Sequence, residues 1–502
     1  MTEEIKEEVV VATEEPQAKN GLDKFFGITR SGSTMRTEIV AGLTTFMAMV
    51  YILLVNAGMF STFYPLPGNP SFGAAYIATA VGAIVGTLLM AFLAKMPLAQ
   101  ASGMGINAFL VFTLMAISGL SYANCMVFTL LDGVIFLVLT VTGLRKQIFE
   151  AIPAAVRHAI PVGIGLFIAF IGMQNAGVIV NENSTLVTFA NLNVLNADFV
   201  TYNLGKVGGM LPAIVALLGV IAIAIMDKKQ VKGAILWGIL GSAVLYFAAL
   251  GIAFACGNEA AAAIFGGISL SNPFAAFGDW ATMSFGKVFT EGFNFDHYLG
   301  LPGNDVTSLI MVLVTSALSL CMIDMFDTIG TCYGACAKGG LLDENGTPLN
   351  MEKMMLSDAI ATCAGAIAGT STVTTFVESA SGVAAGGKTG MTALTTAVLF
   401  ALAMFLSPIA QLIPSCATST ALIYVGVLMM TNVVKIDWTD AAEAIVGFLT
   451  LAIMVLGYSI STGIGMGMIA YVLVMICTGK IKEIKVATWV VSAFFLATFL
   501  LT

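Results

Sequence analysis

The sequence is poor in charged residues, in histidine and in cysteine motifs. Only 10% of its 502 residues are charged, whereas an ordinary soluble domain carries about 25%. Its two histidines, His158 and His297, are too few for a histidine-based metal site. The eight cysteines are scattered through apolar stretches without a Cys-x-x-Cys spacing, which indicates small core residues rather than disulfides or metal ligands. We therefore expect no metal and no cofactor.

The sequence also lacks an N-terminal targeting signal and an excess of basic residues. Residues 1–20 are acidic and polar, without the apolar core of a signal peptide, and we expect a disordered tail there. The net charge of −8 argues against a nucleic-acid partner. Hydrophobic residues make up 58% of the chain, in runs of about 20 residues, the length that crosses a bilayer. The sequence therefore predicts a multi-pass protein embedded in the lipid bilayer of the cell membrane.

Fourteen apolar runs are predicted to cross the membrane, and we number them segments 1 to 14. Segments 1 to 7 are predicted at residues 38–59, 74–94, 101 onward, 122–144, 158–180, 208–226 and 233–256. Segments 8 to 14 are predicted at residues 308–336, 354–369, 369–390, 392–413, 420–434, 441–458 and 463–477. The last apolar run, 486–501, is predicted either as an interfacial helix or as an additional crossing.

The positions of basic residues support this order of segments. They fall between segments 4 and 5, 6 and 7, 8 and 9, 10 and 11, 12 and 13, and after segment 14: Arg145, Lys146, Arg157, Lys228, Lys229, Lys232, Lys338, Lys388, Lys435, Lys480, Lys482 and Lys485. The opposite loops, such as 181–203 and 257–306, are nearly free of Lys and Arg. Because basic residues favour cytoplasmic loops, the pattern predicts fourteen crossings and a cytoplasmic N-terminus.

Segment 10 is the least ordinary of the apolar runs. Residues 370–376 are rich in Thr and β-branched side chains, which favours extended backbone, and residues 378–385 are small enough for a short half-helix. A helix that begins inside a membrane presents unpaired N–H groups, which can bind a polar solute. Segment 3 is also short and interrupted by glycine, and it holds the corresponding place in the first seven segments. Such a pair indicates a transport site; the alternative, a polar surface loop at segment 10, does not fit the pattern of basic residues.

Four polar side chains are predicted to meet at this site. Asp324 and Asp327 are three residues apart in segment 8 and share one helix face. Two such carboxylates repel each other, so sharing a proton lowers the cost of burying them, and we expect a proton site there with Asp324 nearer the substrate. Glu378 supplies a third carboxyl and Asn107 an amide. Two simpler alternatives stay open: Asp327 bonds only the backbone of segment 10, or Asn107 only bridges two helices.

Other polar residues in the apolar runs are assigned structural roles. Asp132, Asp358 and Glu443 are predicted to be structural or close to the membrane interface, and Arg36 and Glu38 to anchor the membrane edge. The glycines of residues 462–468 predict close helix packing rather than a binding loop.

Five sequence stretches, in order, resemble the AzgA-type purine permeases of the nucleobase–cation symporter superfamily. They are T-E-I-V-A-G-L-T-T-F-M-A-M-V-Y-I-L-L-V-N from Thr37, G-M-G-I-N-A-F from Gly103, G-I-G-L-F-I-A-F-I-G from Gly163, D-M-F-D-T-I-G-T from Asp324 and T-F-V-E-S-A-S-G-V-A-A-G-G-K-T-G from Thr375. The resemblance covers nearly the whole chain after about Leu22. The chain departs from the family pattern at Ala57 and at Gln100-Ala101, which bears on substrate preference.

The resemblance implies an all-α polytopic membrane protein with the fold of the uracil permeases. That fold has fourteen transmembrane segments in two inverted seven-segment repeats, with short antiparallel strands in segments 3 and 10. A core domain at 38–144 and 307–413 carries the substrate, and a gate domain at 145–256 and 414–480 forms a homodimer. The remaining parts are a cytoplasmic tail (1–37), an extracytoplasmic loop (257–306) and a C-terminal segment (481–502).

The resemblance further implies a transporter, not an enzyme, that imports adenine, guanine or hypoxanthine with protons by an elevator mechanism. The predicted substrate-binding residues are Glu378, Asp324, Asn107, Phe376, Thr375 and Ser379, and the predicted proton-coupling residues are Asp327 and Asp324. Phe376 or Phe46 can stack on a purine ring. Three alternatives stay open: a carrier of another nucleobase such as uracil or xanthine, an anion transporter of the same fold, and a channel. A membrane enzyme is disfavoured because no set of histidine, metal and nucleophile is found.

Overall fold

The computed structural model describes residues 21–61, 68–143, 152–182, 184–190, 192, 210–268, 272–344 and 346–501. Most of the predicted tail (1–20) lies outside the described residues, as do Arg145 and Lys146 and the predicted start of segment 6 at Gly208.

The first seven segments are mainly helical, because a backbone surrounded by lipid must satisfy its own hydrogen bonds. Segment 1 is two consecutive helices, Met35–Met49 and Tyr51–Ser61; segment 2 is Phe72–Leu89, continued by a π-helix at Met90–Ala94; segment 3 is a helix at Met104–Ala108 and a π-helix at Phe109–Ile117; segments 4 to 7 are Tyr122–Thr142, Ala154–Asn175, Met210–Lys228 and Ala234–Ala255. Polar residues fix several helix starts: at segment 4, Ser121 and Asn124 form a capping box.

The second seven segments follow the same pattern. Segments 8 and 9 are Val306–Gly339 and Met351–Ala368; segment 10 contains only the short helix Ser379–Ala384; segment 11 is Gly390–Ala403, Met404–Leu406 and Ser407–Ala410; segment 12 is Ser415–Met429 with a 3-10 turn at Met430–Lys435; segments 13 and 14 are Ala441–Leu456 and Ile460–Cys477. The last apolar run is a helix, Val486–Leu501, that packs on segment 14, where Ser492 Oγ donates to the Met468 carbonyl at 3.2 Å.

Within the described residues, ten helices are long and apolar enough to cross a membrane. The segments outside this group have identifiable reasons. Segment 3 (Met104–Ile117) and segment 13 (Ala441–Leu456) are short, segment 10 is mostly non-helical, and segment 9 carries Glu352, Lys353 and Asp358 within 18 residues. The chain is therefore a mostly helical, multi-pass protein.

Two pairs of strands interrupt the helices. Strand β1 (Gln100–Ser102) precedes the helix of segment 3 and pairs antiparallel with β4 (Val373–Thr375) of segment 10, which confirms the predicted strands at both places. Strands β2 (Ile179–Glu182) and β3 (Leu186–Phe189) form a hairpin that the all-α prediction did not include. Segment 5 accordingly ends at Asn175 rather than at Val180, since Gly177 adopts a positive φ of 70° and turns the chain into β2.

Four short helices lie in the described part of the predicted loop 257–306. They are Glu259–Gly266, Pro273–Met283, Lys287–Thr290 and Asp296–Leu299. The Trp280 indole donates to the Ala368 carbonyl at the end of segment 9 (2.8 Å), and the Asn124 amide of segment 4 donates to the carbonyls of Gly292 (2.7 Å) and Asn294 (2.8 Å). The described part of this loop is thus bonded to segments 4 and 9.

Glu38 does not anchor the membrane edge, as its place before an apolar run had suggested. The side chain is fully buried. It accepts the backbone N–H groups of Lys388 (3.0 Å) and Thr389 (3.3 Å) and the hydroxyl of Thr392 (2.6 Å). Lys388 and Thr389 lead into the helix of segment 11, and Thr392 lies in its first turn. Glu38 therefore ties segment 1 to the start of segment 11, where N–H groups have no partner within the helix.

Glycines allow several segments to pack backbone against backbone. A Cβ at Gly382, in the segment 10 helix, would lie 2.0 Å from Thr45 Oγ1 and 2.6 Å from the Ala41 carbonyl of segment 1. In segment 14 a Cβ at Gly467 would lie 2.0 Å from Thr450 Oγ1 of segment 13, which confirms the predicted close packing of residues 462–468. The short helix of segment 10 is therefore held directly against segment 1.

We expect Gly382→Ala to lower the free energy of unfolding by about 1–3 kcal/mol, because the added methyl group overfills a tightly packed contact. Gly241→Ala is the matched control, since Gly241 lies inside the segment 7 helix with no atom within 4 Å of the added Cβ. The control should be neutral or stabilising by up to about 1 kcal/mol. Thermal unfolding in detergent compares the two; equal melting temperatures would contradict the close contact.

Candidate functional site

The site is built around the antiparallel pair of β1 and β4. Gln100 lies opposite Thr375, and Ser102 lies opposite Val373. Two further backbone bonds extend the ladder, from the Gly103 N–H to the Thr372 carbonyl (2.9 Å) and from the Phe376 N–H to the Ala99 carbonyl (3.1 Å). A helix begins just after each strand, at Met104 and at Ser379. Neither helix start is capped by a side chain, so two helix N-termini adjoin one strand crossing.

Threonines on the preceding helices hold each strand from outside. Thr87 of segment 2 donates to the Gln100 carbonyl (3.0 Å) and accepts the Gln100 N–H (3.0 Å). Thr362 of segment 9 donates to the Val373 carbonyl (3.2 Å). The helix before each strand thus satisfies backbone groups that the short ladder leaves over, as burial away from water requires.

A second layer of polar side chains lies behind the strands. The Gln100 amide donates to Asp358 Oδ1 at 3.0 Å and to Thr375 Oγ1 at 3.3 Å. The Thr328 hydroxyl of segment 8 donates to Asp358 Oδ2 (2.8 Å) and also lies 2.7 Å from Thr374 Oγ1. Asp358 is fully buried, and it links segments 3, 8 and 9 as a structural residue.

Glu378 stands between β4 and the segment 10 helix, as the sequence predicts. Its side chain is 9% exposed, and Oε1 accepts a hydrogen bond from the fully buried Tyr51 hydroxyl of segment 1 at 2.6 Å. The tyrosine bond fixes one carboxylate oxygen.

Asp327 is the second carboxyl at the site. It lies close enough to Glu378 for the two carboxylates to repel each other when both are charged. Its charge also interacts electrostatically with the Tyr51 hydroxyl. Its Oδ2 lies 3.8 Å from the position of a Cβ built on Gly103, next to the strand crossing. Asp324, one turn earlier, is fully buried. The structure thus places Asp327 close to Glu378.

A narrow cavity of about 20 Å³ borders Asp327. Its lining comes from segments 3, 5, 8 and 12: Gly105, Ile160, Pro161, Ile164, Ile323, Phe326, Asp327 and Met429. That space suffices for a single water, which needs about 10–15 Å³, and is too small for a bicyclic ligand. The cavity lies where the predicted core segments 3 and 8 face the predicted gate segments 5 and 12.

Asn107 belongs to a cluster rich in hydroxyl groups next to the start of β4. Its Oδ1 accepts a short hydrogen bond from Ser371, and its side chain is fully buried. The Thr372 hydroxyl donates to Asp132 Oδ2 at 3.0 Å, so Asp132 holds the chain that leads into β4. Asn107 therefore bridges segments 3 and 10.

The remaining predicted residues contact other parts of the protein, and Thr375, Phe376 and Ser379 lie at or next to the crossing. Thr375 accepts from Gln100, and Ser379 exchanges hydrogen bonds with the Ala99 backbone, accepting at 3.0 Å and donating at 3.3 Å. Phe376 is 6% exposed within the main hydrophobic core. Phe46 meets Phe400 edge to face, with ring centroids 5.4 Å apart.

Sequence reasoning missed Tyr51, Gln100 and Thr328. Tyr51 lies in the M-V-Y-I-L-L-V-N stretch, where a tyrosine in an apolar run gives no sign of its partner. Gln100 was noted only as a departure from a family pattern. A buried glutamine beside a glycine-broken segment is itself a signal, because its amide needs partners at that depth.

A sequence profile of the Permease family matches residues 36–466 of the chain. The chain belongs to this family. The permease is 38% identical over 463 residues to a guanine/hypoxanthine permease of Bacillus subtilis, covering 91% of this chain and 96% of that protein. It is 32% identical over 474 residues to an adenine permease of Escherichia coli, covering 94% and 95%. The resemblance to purine permeases is thereby confirmed.

Solved structures show the same fold in more distant transporters. The transmembrane domain of a cyanobacterial bicarbonate transporter aligns with a TM-score of 0.55 at 14% identity, covering 86% of this permease and 97% of that chain. The murine Solute Carrier 26 family member A9, an anion transporter in an inward-facing state, aligns with a TM-score of 0.58 at 12% identity, covering 93% and 74%.

Proposed function

We propose that this permease imports purine nucleobases, namely adenine, guanine or hypoxanthine, by proton symport. The observation that carries the proposal is the position of Glu378. It is a buried carboxylate, held by Tyr51, at the start of the segment 10 helix and next to a second carboxyl, Asp327. The similar proteins of Bacillus subtilis and Escherichia coli are a guanine/hypoxanthine permease and an adenine permease, which supports purines as the substrate class. The protein acts as a carrier and not as an enzyme.

The chemistry of a purine fits this arrangement. The base is flat and neutral, with ring N–H donors and nitrogen or oxygen acceptors. Glu378 accepts a ring N–H through the oxygen that Tyr51 does not hold, while N–H groups at the helix starts after β1 and β4 donate to ring acceptors. Asn107, Asp324, Thr375 and Ser379 shape the pocket around these contacts, and Phe376 or Phe46 offers a stacking face.

The proposed architecture has fourteen crossings in two inverted repeats, with a cytoplasmic N-terminus. The pairing of β1 with β4 supports it, as does the matching support of each strand by a threonine of the preceding helix, Thr87 and Thr362. The distribution of basic residues supports the orientation. Tags at the two termini, probed from each side of the membrane, test the orientation; an N-terminus reached only from outside would contradict it.

The proposed movement is an elevator, in which core segments 1–4 and 8–11 move against gate segments 5–7 and 12–14. The cavity of about 20 Å³ lies at this boundary and cannot hold a purine, so binding requires the two groups of segments to separate. We propose a homodimer formed through the gate segments, on the basis of the family resemblance. Cross-linking in native membranes that yields only monomers would contradict the dimer.

The anion-transporter alternative is disfavoured by the charge of the site. In segments 3, 8 and 10, the stretches 101–117, 308–336 and 369–385 contain no Lys or Arg. Three carboxyl residues, Asp324, Asp327 and Glu378, lie in the same segments. A site of this composition repels small divalent anions and favours a neutral ligand with N–H donors.

We expect vesicles containing the protein to accumulate radiolabelled adenine, guanine or hypoxanthine, and to lose accumulation when the proton gradient is collapsed. Unlabelled adenine, guanine, hypoxanthine, xanthine and uracil, added as competitors, rank the substrates. Sulfate and bicarbonate serve as anion controls. Uptake blocked by uracil or by an anion but by none of the purines would overturn the proposal.

Glu378→Gln should weaken purine binding about tenfold or more, because it removes a charge-assisted hydrogen bond worth about 1.5–3 kcal/mol. Tyr51→Phe should weaken binding to a smaller extent, since the carboxylate remains but is no longer oriented. Tyr76→Phe is the matched control: Tyr76 is buried and donates to the Ala403 carbonyl at 2.9 Å, away from the crossing. Calorimetry in detergent measures the three dissociation constants, and unchanged binding by Glu378→Gln would contradict the assignment.

The proton site is proposed at Asp327 together with Asp324. Asp327→Asn and Asp324→Asn should each retain purine exchange across the membrane, because a neutral amide preserves the shape of the carboxyl. Each should lose uphill uptake in a pH gradient, because the proton has no acceptor. Proteoliposome exchange and gradient-driven uptake, measured on the same preparations, separate the two activities. If both variants concentrate purine as the parent does, the proton acceptor is elsewhere, and Glu378 becomes the next candidate.

A further inference from the structure

A second cavity, of about 180 Å³, is lined by residues that belong to neither strand of the crossing. It is formed where the start of segment 5 meets segment 14 and the stretch that leads into the helix Val486–Leu501. Its polar lining consists of Arg157, Tyr471, Glu483, Lys485 and Thr488. The volume is many times the about 10–15 Å³ that one water needs, so the cavity can hold a polar group larger than water.

The lining is suited to an oxyanion. Among the described residues, Arg157 and Lys485 bring positive charge to the lining, Glu483 brings negative charge, and Tyr471 and Thr488 add hydroxyl groups. Just outside the lining, Glu443 lies close to Tyr471, and Lys435 lies close to His158, the neighbour of Arg157. These five charged residues, three basic and two acidic, leave a positive balance around the cavity. A guanidinium binds phosphate oxygens in a two-point geometry, while an ammonium acts as a point charge.

The helix of segment 5 strengthens this charge pattern. Its first turn, Ala154, lines the cavity, and the residue before it, Pro153, makes no side-chain cap bond. The 22-residue helix therefore begins at the cavity wall. Free N–H groups and the positive end of the helix dipole favour an anion at that position.

We propose that this cavity binds a phosphate group. The proposal is independent of the transport function, since none of the lining residues belongs to the candidate substrate site. We choose phosphate as the ligand class because its oxygens point in several directions. They can accept hydrogen bonds from the arginine guanidinium, the lysine ammonium and a hydroxyl at the same time.

The surroundings favour a phospholipid headgroup as the source of the phosphate. The helix beside the cavity exposes Val486 (78%), Trp489 (38%) and Val490 (48%), an apolar surface for acyl chains, and tryptophan is typical of the membrane–water interface. Lys480 and Lys482 add positive charge just before the cavity residues. Basic pockets between membrane helices on the cytoplasmic side bind anionic lipid headgroups.

The test uses the full-length protein in detergent, titrated separately with phosphatidylglycerol, phosphatidylcholine and inorganic phosphate. Native mass spectrometry and the melting temperature report binding. We expect phosphatidylglycerol to bind and to raise the melting temperature more than phosphatidylcholine does. Arg157→Gln and Lys485→Gln should each weaken that binding about tenfold, while Lys482→Gln, an exposed lysine outside the cavity lining, should leave it unchanged.

Glu483→Gln provides a test of opposite sign. Removing the negative charge from the lining should tighten phosphatidylglycerol binding several-fold, an effect that general damage to the fold cannot produce. Arg157→Lys keeps the charge without the fork and should fall between the parent and Arg157→Gln, which gives a usable variant if the glutamine does not fold.

Two sets of results decide the proposal. Binding of inorganic phosphate that follows the same order of variants would support the site and assign it to a soluble phosphate compound instead of a lipid. If neither phosphatidylglycerol nor phosphate distinguishes Arg157→Gln and Glu483→Gln from Lys482→Gln, the cavity binds no phosphate group and the proposal is overturned.

Discussion

The structure depends on one constraint: a backbone that leaves the helical conformation inside a membrane must find hydrogen-bond partners there. Segments 3 and 10 both leave it, and each is the partner of the other through β1 and β4. The crossing then fixes where both following helices begin, and it places Glu378 within reach of Tyr51. The candidate site therefore follows from the need to satisfy backbone groups, because the strand pair brings two helix starts and the side chains next to them together.

In the hydrogen bonds described above, the buried carboxylates around the crossing accept from amide and hydroxyl groups. Asp358 is held by Gln100 and Thr328, and Asp132 by Thr372. A buried carboxylate is tolerated when hydrogen bonds replace its hydration. This explains how a chain with so few charges can place several carboxyl groups at depth.

The sequence predicted the strand crossing better than it predicted the surrounding elements. The extended stretch and half-helix of segment 10 were predictable because Thr-rich and small residues occur in separate blocks. The place of Glu378 between them follows from the same boundary, whereas the roles of Glu378 and Asp327 stay predictions. The hairpin β2–β3 was missed because Ile179 and Val180 continue an apolar run. Glu38 was misassigned because a charge before an apolar run looks like an interface anchor, whereas its partners lie some 350 residues away, a distance that no local pattern reports.

The crossing has a consequence for how the chain is made. Gln100 pairs with Thr375, so the ribosome adds about 270 residues between the two strands. At about 5–20 residues per second, β1 exists for roughly 14–55 s before its partner is synthesised. During that interval its unpaired N–H and C=O groups would be costly to bury in lipid. They must therefore stay hydrated or in contact with the insertion machinery. Assembly of the first half is thus incomplete until the second half arrives, and a ribosome that stops between them leaves a fragment with an exposed strand edge.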